Sequence, residues 1–360
     1  MNTERLRDSA ARFVFGLDGA ELLPRERELF AALSPLGFLL FRRNLSSPSQ
    51  VVSLIAELRG LSSPPPLLFV DQEGGTVDRI GPLLGLKFPS ASLLASKGTD
   101  RVHSGAFLMG RAARLLGFDV DFAPVLDLAQ PGTGAVVLEG RCFAFHPEDV
   151  TLSGTVFLHG LARAGVASCL KHFPGLGRGP VDSHLSLPVV DAHDVDLMVT
   201  DVHPFARLAR SADGVMVGHA AYPGFTGETS PASLSPFFYS LLRDRLAFQG
   251  VAYTDDLTMG ALGGTLPERC ASAALAGADA LVVAKGIEDY EESVARVAEA
   301  SPAPAVTLAR LDSLRARCAS APRPAFTPEA WIRLADEVTA FLDLLEKPRE
   351  ERAEGRFRSS

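Results

Sequence analysis

The chain has 360 residues, 47% of them apolar and 22% charged, and its 43 acidic and 35 basic side chains give a formal net charge of −8. That balance suits a globular protein with a sizeable core and excludes disordered, collagen-like and coiled-coil chains. It also argues against a nucleic-acid binder, which needs a basic face.

The first ten residues mix Glu4 and Asp8 with Arg5 and Arg7, and the apolar piece behind them, Phe13–Leu17, is too short for a signal peptide. No apolar run approaches the roughly 20 residues of a membrane span. Cys142, Cys169, Cys270 and Cys318 are widely separated and form no CxxC pair, the pattern of reduced thiols. A soluble cytoplasmic monomer is expected, with no nucleic acid and no membrane among its partners.

Along the chain, short β-branched or aromatic runs alternate with helix-length amphipathic segments. The expected strands are Phe13–Leu17, Gly37–Phe41, Leu67–Asp71, Val120–Leu126, Val166–His172, Gly214–His219, Gly250–Asp255 and Ala280–Ala284. Helical patterns between them include Pro48–Arg59, Val102–Leu116, Pro147–Ala164 and Pro236–Phe248. Strand–helix alternation implies βαβ crossovers and a parallel sheet. Eight units in about 300 residues fit an α/β fold of the (β/α)8 TIM-like barrel type, here as a single domain over residues 1–345. An open doubly wound sheet is the alternative, but no Gly-x-Gly-x-x-Gly turn follows any strand. Ser301–Pro324 reads as a connection plus a late helix, and Ala330–Leu345 as a helix packing back on the barrel. The charged tail, 346–360, is expected to fray.

The strand ends carry unusual side chains. Asp71, Lys171 with His172, His219, and Asp255 with Asp256 each finish or follow a strand. A core strand has no structural need to end in such groups, and in a barrel these ends converge on the face where active sites occur.

Three clusters stand out. From Lys171 to His184 a strand end runs into a Gly- and Pro-rich segment that is a mobile-loop candidate, with Asp182 two residues before His184. A carboxylate beside an imidazole fixes its tautomer and favours its protonated form, which makes a proton donor and acceptor. An isolated Asp-x-His is more often an exposed polar loop, and the barrel-top position favours function. Asp255 and Asp256 should face opposite ways, one into the barrel mouth and one capping the next helix. In Asp71–Arg79, Gly74 and Gly75 allow a sharp turn. Arg79 either returns to a ligand oxygen or pairs with Asp78 or Glu73, and Arg141 has the same ambiguity. His219 is equally a satisfied strand-end histidine or a ligand contact. Neither His-x-His nor His-Glu-x-x-His occurs among the strand-end groups, so no metal site is expected.

These segments together resemble the single-domain bacterial β-N-acetylglucosaminidases of glycoside hydrolase family 3. The family loop Lys-His-Phe-Pro-Gly-His-Gly followed by Asp-Ser-His is present at Lys171–His184 with one change. Asp-Gln-Glu-Gly-Gly-x-Val-x-Arg is matched at Asp71–Arg79, and Phe-Ala-Pro-Val-Leu-Asp at Phe122–Asp127. The Arg-Ser-Phe loop appears as Arg141-Cys142-Phe143, Pro-Ala-Ser-Leu-Ser lies at Pro231–Ser235, and the paired-aspartate motif at Thr254–Met259. All occur in family order over roughly residues 12 to 300. Each is weak alone and the set is specific.

The resemblance implies a retaining exo-β-N-acetylhexosaminidase that removes terminal N-acetylglucosamine from β-glycosides, muropeptide fragments in peptidoglycan recycling among them. By motif position, Asp255 matches the nucleophile, His184 the acid/base and Asp182 its orienting partner. Asp71, Arg79, Arg141, Lys171 and His172 match sugar-binding positions. No cofactor is implied, and the partner is a small N-acetylglucosamine-containing glycoside. Three positions depart from the pattern: Leu176 stands where the family has His, Arg178 where an Asp or small residue is common, and Glu139 where an Asp precedes the loop arginine. The alternatives are a β-glycosidase of other sugar specificity, a Schiff-base lyase using Lys171, and a silent sugar-binding relative.

Overall fold

The structure is a computed structural model that describes residues 3–130, 138–183, 185–301 and 303–346. Eight short strands form its centre: β1 (Phe13–Gly16), β2 (Gly37–Leu40), β3 (Leu67–Val70), β4 (Val120–Asp121), β5 (Ala167–Phe173), β6 (Gly214–Val217), β7 (Val251–Thr254) and β8 (Leu281–Val283). Every pairing is parallel. The strands follow in chain order from β1 to β7, and β8 returns to pair with β1. A bridge between Tyr253 and Ala280 brings β7 against the start of β8, so the sheet closes into the expected barrel around one axis.

The period-2 pattern explains the two cores. Val14, Leu39, Phe69, Phe122, Tyr253 and Val282 point inward, with Phe69, Phe122 and Tyr253 packed ring to ring at 5.1–6.0 Å. Their neighbours Phe13, Phe15, Phe38, Leu68, Val70 and Val283 point outward under the helices. The helix Ala305–Ser320 lends Leu311, Leu314 and Cys318 to the inner cluster. All four cysteines are free and buried. Among the described residues no helix is long and apolar enough to cross a membrane.

Two elements differ from expectation. The strand expected over Val120–Leu126 is regular only at Val120–Asp121. Pro124 has no N–H to give the ladder, and the chain continues beside β5 through irregular bonds, Lys171 N–H to Pro124 O at 3.2 Å and Leu126 N–H to Lys171 O at 2.7 Å. The helix expected over Pro236–Phe248 is α-helical only to Ser240 and then widens into a π-type turn over Leu241–Arg245. Pro48–Arg59 and Pro147–Ala164 form with the expected bounds, each with proline in its first turn.

The amino end of the barrel is tied by carboxylates buried just before β4 and β8. Asp119 accepts from the Leu68 N–H, Arg59, Arg114 and Arg323 at 2.8–3.0 Å. Asp279 accepts from the Ala252 N–H at 2.9 Å, Thr307 Oγ1 at 3.0 Å and Arg310 at 3.1 Å, and pairs with Arg243. The carboxyl end opens into the cavity that holds the polar strand-end groups.

Candidate active site

At the carboxyl end lies a cavity of about 380 Å³, bordered by Asp71, Arg79, Arg141, Lys171, His172 and Asp255. Six of the eight residues singled out from sequence therefore share one cavity. Ser183 also borders it, while Asp182, the residue before, is half-buried and its carbonyl accepts the Leu185 and Ser186 N–H groups. His184 lies outside the described residues.

A chain of buried charges organises one wall. Asp71 and Glu73 lie two residues apart just past the end of β3. Both accept from Lys171 Nζ, at 2.7 and 2.6 Å. Glu73 also takes the Arg141 fork, with Nε to Oε2 at 2.7 Å and Nη2 to Oε1 at 2.9 Å. Burial would favour the neutral carboxyl of Glu73, but Lys171 and Arg141 outweigh it and hold Glu73 ionised far below the usual carboxylate range. Burial would likewise release the Lys171 proton, yet Asp71 and Glu73 hold its pKa above the ordinary lysine value. An ammonium held charged in this way is a poor amine nucleophile, which disfavours the Schiff-base alternative.

The Asp71–Arg79 turn is built to bring Arg79 back over the cavity. Gly74 and Gly75 have φ of +82° and +62°, and a Cβ on Gly74 would lie 2.2 Å from Pro89 O. Gln72 Oε1 accepts the Arg79 and Ile80 N–H groups at 3.0 and 2.9 Å. Asp78 is occupied by Gln72 Nε2 and by the Gly81 and Phe88 N–H groups, each at 2.8 Å. Glu73 is taken by Lys171 and Arg141. Arg79 thus points to the cavity, and its buried Nε has no protein partner.

His172 is held by Asp127, a fully buried carboxylate. The His172 Nδ1–H donates to Asp127 Oδ2 at 2.7 Å, leaving Nε2 for a ligand. Asp127 Oδ1 accepts the Leu176 N–H at 2.6 Å and the His172 N–H at 3.3 Å. One carboxylate therefore sets both a cavity side chain and the start of the loop. Chain position hides this role, because Asp127 follows an irregular stretch beyond β4 rather than ending a regular strand. Glu73 had a signal, its two-residue spacing from Asp71, but read in sequence it was only a potential partner for Arg79.

The segment 174–180 is irregular, as its glycines and prolines imply, and it is hydrogen-bonded to neighbouring elements. Tyr222 Oη donates to Gly175 O at 2.8 Å, and Arg178 Nε to Asp201 Oδ2 at 2.7 Å. A Cβ on Gly177 would lie 2.1 Å from Leu128 O. Leu176 borders the cavity and Arg178 grips Asp201, so two departures from the family pattern are both used. Glu139 is exposed.

Asp255 follows β7, and its Oδ1 accepts the Asp256 N–H at 2.8 Å. Burial pushes its carboxyl up, but the charges of His172 and Lys171 and the Asp256 N–H together carry it below its ordinary value. Asp256 accepts from the Thr258 N–H at 3.0 Å, Thr258 Oγ1 at 2.7 Å and the Ala284 N–H at 3.0 Å. The expected capping role therefore falls to Asp256, on a turn and on the end of β8 rather than on a helix. His219 is satisfied inside the protein, between Ser233 and the Asp256 carbonyl. Among the described residues no group of three His, Cys, Asp or Glu side chains is placed to hold a metal ion.

A parallel eightfold barrel that gathers charged side chains round a cavity at its carboxyl end is an arrangement that glycoside hydrolases share with other barrel enzymes. Residues 24–320 match the glycosyl hydrolase family 3 N-terminal domain, and the chain belongs to that family as a glycoside hydrolase. A β-hexosaminidase of Methylococcus capsulatus is 33% identical over 92% of this chain and 99% of its own. One from Thioalkalivibrio sulfidiphilus is 36% identical over 84% and 88%. Among solved structures, NagZ of Neisseria gonorrhoeae in complex with N-trifluoroacetyl-D-glucosamine superposes with a TM-score of 0.76, at 28% identity, over 94% of this chain and 98% of that one. A family 3 β-N-acetylglucosaminidase of Paenibacillus sp. reaches 0.82 at 28% identity, covering 93% and 68%.

Proposed function

We propose that this chain is a retaining exo-β-N-acetylhexosaminidase that removes terminal non-reducing N-acetylglucosamine from β-glycosides. Asp255 is its nucleophile, His184 its acid/base, and Asp182 orients the imidazole. The observation that carries the reading is Asp255 itself: ionised, at a strand end, and bordering the same cavity as Lys171, His172, Arg79 and Arg141.

In the first step Asp255 attacks the anomeric carbon from one face while His184 gives a proton to the departing glycosidic oxygen. The bond to the aglycone breaks and a glycosyl ester forms on Asp255. In the second step His184 takes a proton from water as the water attacks the anomeric carbon, which frees Asp255 and returns the β configuration. Histidine thus does the work usually given to a second carboxylate. Asp71, Lys171, His172, Arg79 and Arg141 hold the sugar hydroxyls and acetamido group. The buried Arg79 Nε, which lacks a protein partner, suits a sugar oxygen. None of these steps requires a metal or organic cofactor.

The acetamido preference is supported by the Paenibacillus neighbour, a β-N-acetylglucosaminidase, and by the N-trifluoroacetyl-D-glucosamine in complex with the Neisseria protein. We assign the natural substrate to muropeptide fragments met during peptidoglycan recycling by a cytoplasmic monomer. The deciding assay is turnover of 4-nitrophenyl N-acetyl-β-glucosaminide beside the corresponding glucoside and galactosaminide. Release from the first alone supports the reading. Release from the glucoside alone would assign another sugar, and no release from any would leave a silent sugar-binding relative.

A further inference from the structure

We infer that Ser233 and His219 form a positioning relay behind the cavity wall, holding one tautomer of a buried imidazole so that the backbone at Asp256 presents the Asp255 carboxylate to the sugar. The inference rests on Asp255 being the nucleophile. Its motivation is a stretch of sequence that sugar binding leaves unused. Ser233 of the Pro231–Ser235 motif lies 14 residues from His219 in the chain, and both side chains are fully buried while neither borders the cavity.

The geometry is a chain of three hydrogen bonds. Ser233 Oγ lies 2.7 Å from His219 Nδ1, and His219 Nε2 lies 2.9 Å from the Asp256 carbonyl oxygen. The Asp256 N–H then donates to Asp255 Oδ1 at 2.8 Å. Ser233 is itself held fast: Tyr239 Oη donates to its carbonyl at 3.0 Å, and the Ala232 N–H donates to Ala220 O at 2.8 Å.

The direction of each bond follows from the groups. Burial holds His219 below the ordinary histidine value despite Asp255 and Asp256 nearby, so the ring works neutral, with one N–H. The Asp256 carbonyl can only accept, so that N–H belongs to Nε2. Nδ1 must then accept, and the Ser233 hydroxyl must donate. Alanine at 233 would leave the Nδ1 lone pair buried without a donor. Moving the proton to Nδ1 would then turn a lone pair toward the Asp256 carbonyl, and the peptide that aims Asp255 would lose its anchor.

Amide side chains separate this role from mere packing, because glutamine places an N–H near Nε2 and asparagine near Nδ1. On 4-nitrophenyl N-acetyl-β-glucosaminide, His219→Asn should lose about 10²-fold in kcat, the scale of a small misplacement of a reacting group. His219→Gln should recover to within roughly tenfold of the native enzyme, and Ser233→Ala should lose about tenfold. The Ki of free N-acetylglucosamine, which needs the sugar contacts but not the nucleophile's aim, should move less than about twofold in all of them. Equal losses for His219→Gln and His219→Asn, or a Ki that moves with kcat, would overturn the relay.

A second measurement needs no variant to be active. In the native protein labelled with ¹⁵N-histidine, the His219 ring should show the neutral Nε2–H tautomer at pH 7. A neutral Nδ1–H ring or an imidazolium there overturns the proposal. Trapping the native enzyme with a 5-fluoro N-acetylglucosaminyl donor and locating the adduct tests the underlying reading separately. An adduct away from Asp255 removes the nucleophile and the relay's purpose together. An adduct on Asp255, with glutamine and asparagine equally impaired, overturns the relay alone.

Discussion

The two ends of the barrel carry the same chemical groups under opposite conditions. At the amino end, Asp119 and Asp279 are fully buried and ringed by arginines and backbone N–H groups from neighbouring elements. At the carboxyl end, Asp71, Glu73 and Asp255 meet Lys171, Arg141 and the histidines around an open cavity. The difference lies in what the charges face. Carboxylates at the amino end face only protein, and their partners tie strand to helix. At the carboxyl end Glu73 and Asp255 are held ionised while bordering space that a ligand can enter, the condition for a reagent. Residue type alone separates neither group.

The sharpest way to break this contrast is to remove one carboxylate from each end. Asp255→Ala should cost roughly 10⁴–10⁶-fold in kcat with the fold kept, as for loss of a nucleophile that acts within a unit. Trapping by a 5-fluoro N-acetylglucosaminyl donor should disappear with it. If Asp256→Ala were silent and Asp255→Ala active, the nucleophile would be the neighbouring carboxylate.

His184→Ala comes next. It should cost roughly 10²–10⁴-fold in kcat/KM on a disaccharide, whose alkoxide needs a proton, and far less on the 4-nitrophenyl glycoside, whose phenolate leaves unaided. Added azide, which needs no base, should restore part of the aryl substrate's kcat as a glycosyl azide of retained configuration. Equal losses on both substrates without azide rescue would give His184 a binding role. Asp182→Ala should follow the same pattern more weakly.

Asp279→Asn should cost about 3 kcal/mol of stability, because the half-buried Arg243 and Arg310 lose their countercharge. The kcat/KM of the folded fraction should not change. A kinetic defect without a stability loss would erase the distinction between the two ends.

Glu73→Gln joins the two kinds of effect in one residue. Near neutral pH it should also cost about 3–5 kcal/mol, and in addition raise KM, since Lys171 and Arg141 lose their shared anchor. Its pH dependence has a definite sign. The folded-state pKa of Glu73 is depressed, so its contribution is present above the ordinary glutamate value of 4.5 and fades as pH falls through the lower folded value. The melting-temperature gap between native and variant proteins should therefore narrow below about pH 4.5. A gap that stayed constant down to acid denaturation would mean that Glu73 acts by packing.

Much of this was legible in the chain. Eight period-2 runs separated by amphipathic helices are a local pattern, and local pattern specifies strand, helix and facing direction. Parallel pairing then leaves few ways to close the sheet. The strand-end positions of Asp71, Lys171, His172 and Asp255 follow from the same pattern, because a barrel gathers those ends on one face. Three-dimensional packing decided what lies between residues far apart in sequence. Pro124 breaks β4 early because a ladder bond needs a donor that proline lacks, yet β5 still receives the chain beyond it. Glu73 belongs to Lys171 and Arg141 rather than to Arg79, Asp127 joins His172 to Leu176, and Ser233 reaches His219. No spacing rule encodes such partners. A buried polar group takes whichever donor or acceptor the closed barrel brings within about 3 Å, and that is settled only when all eight strands are in place.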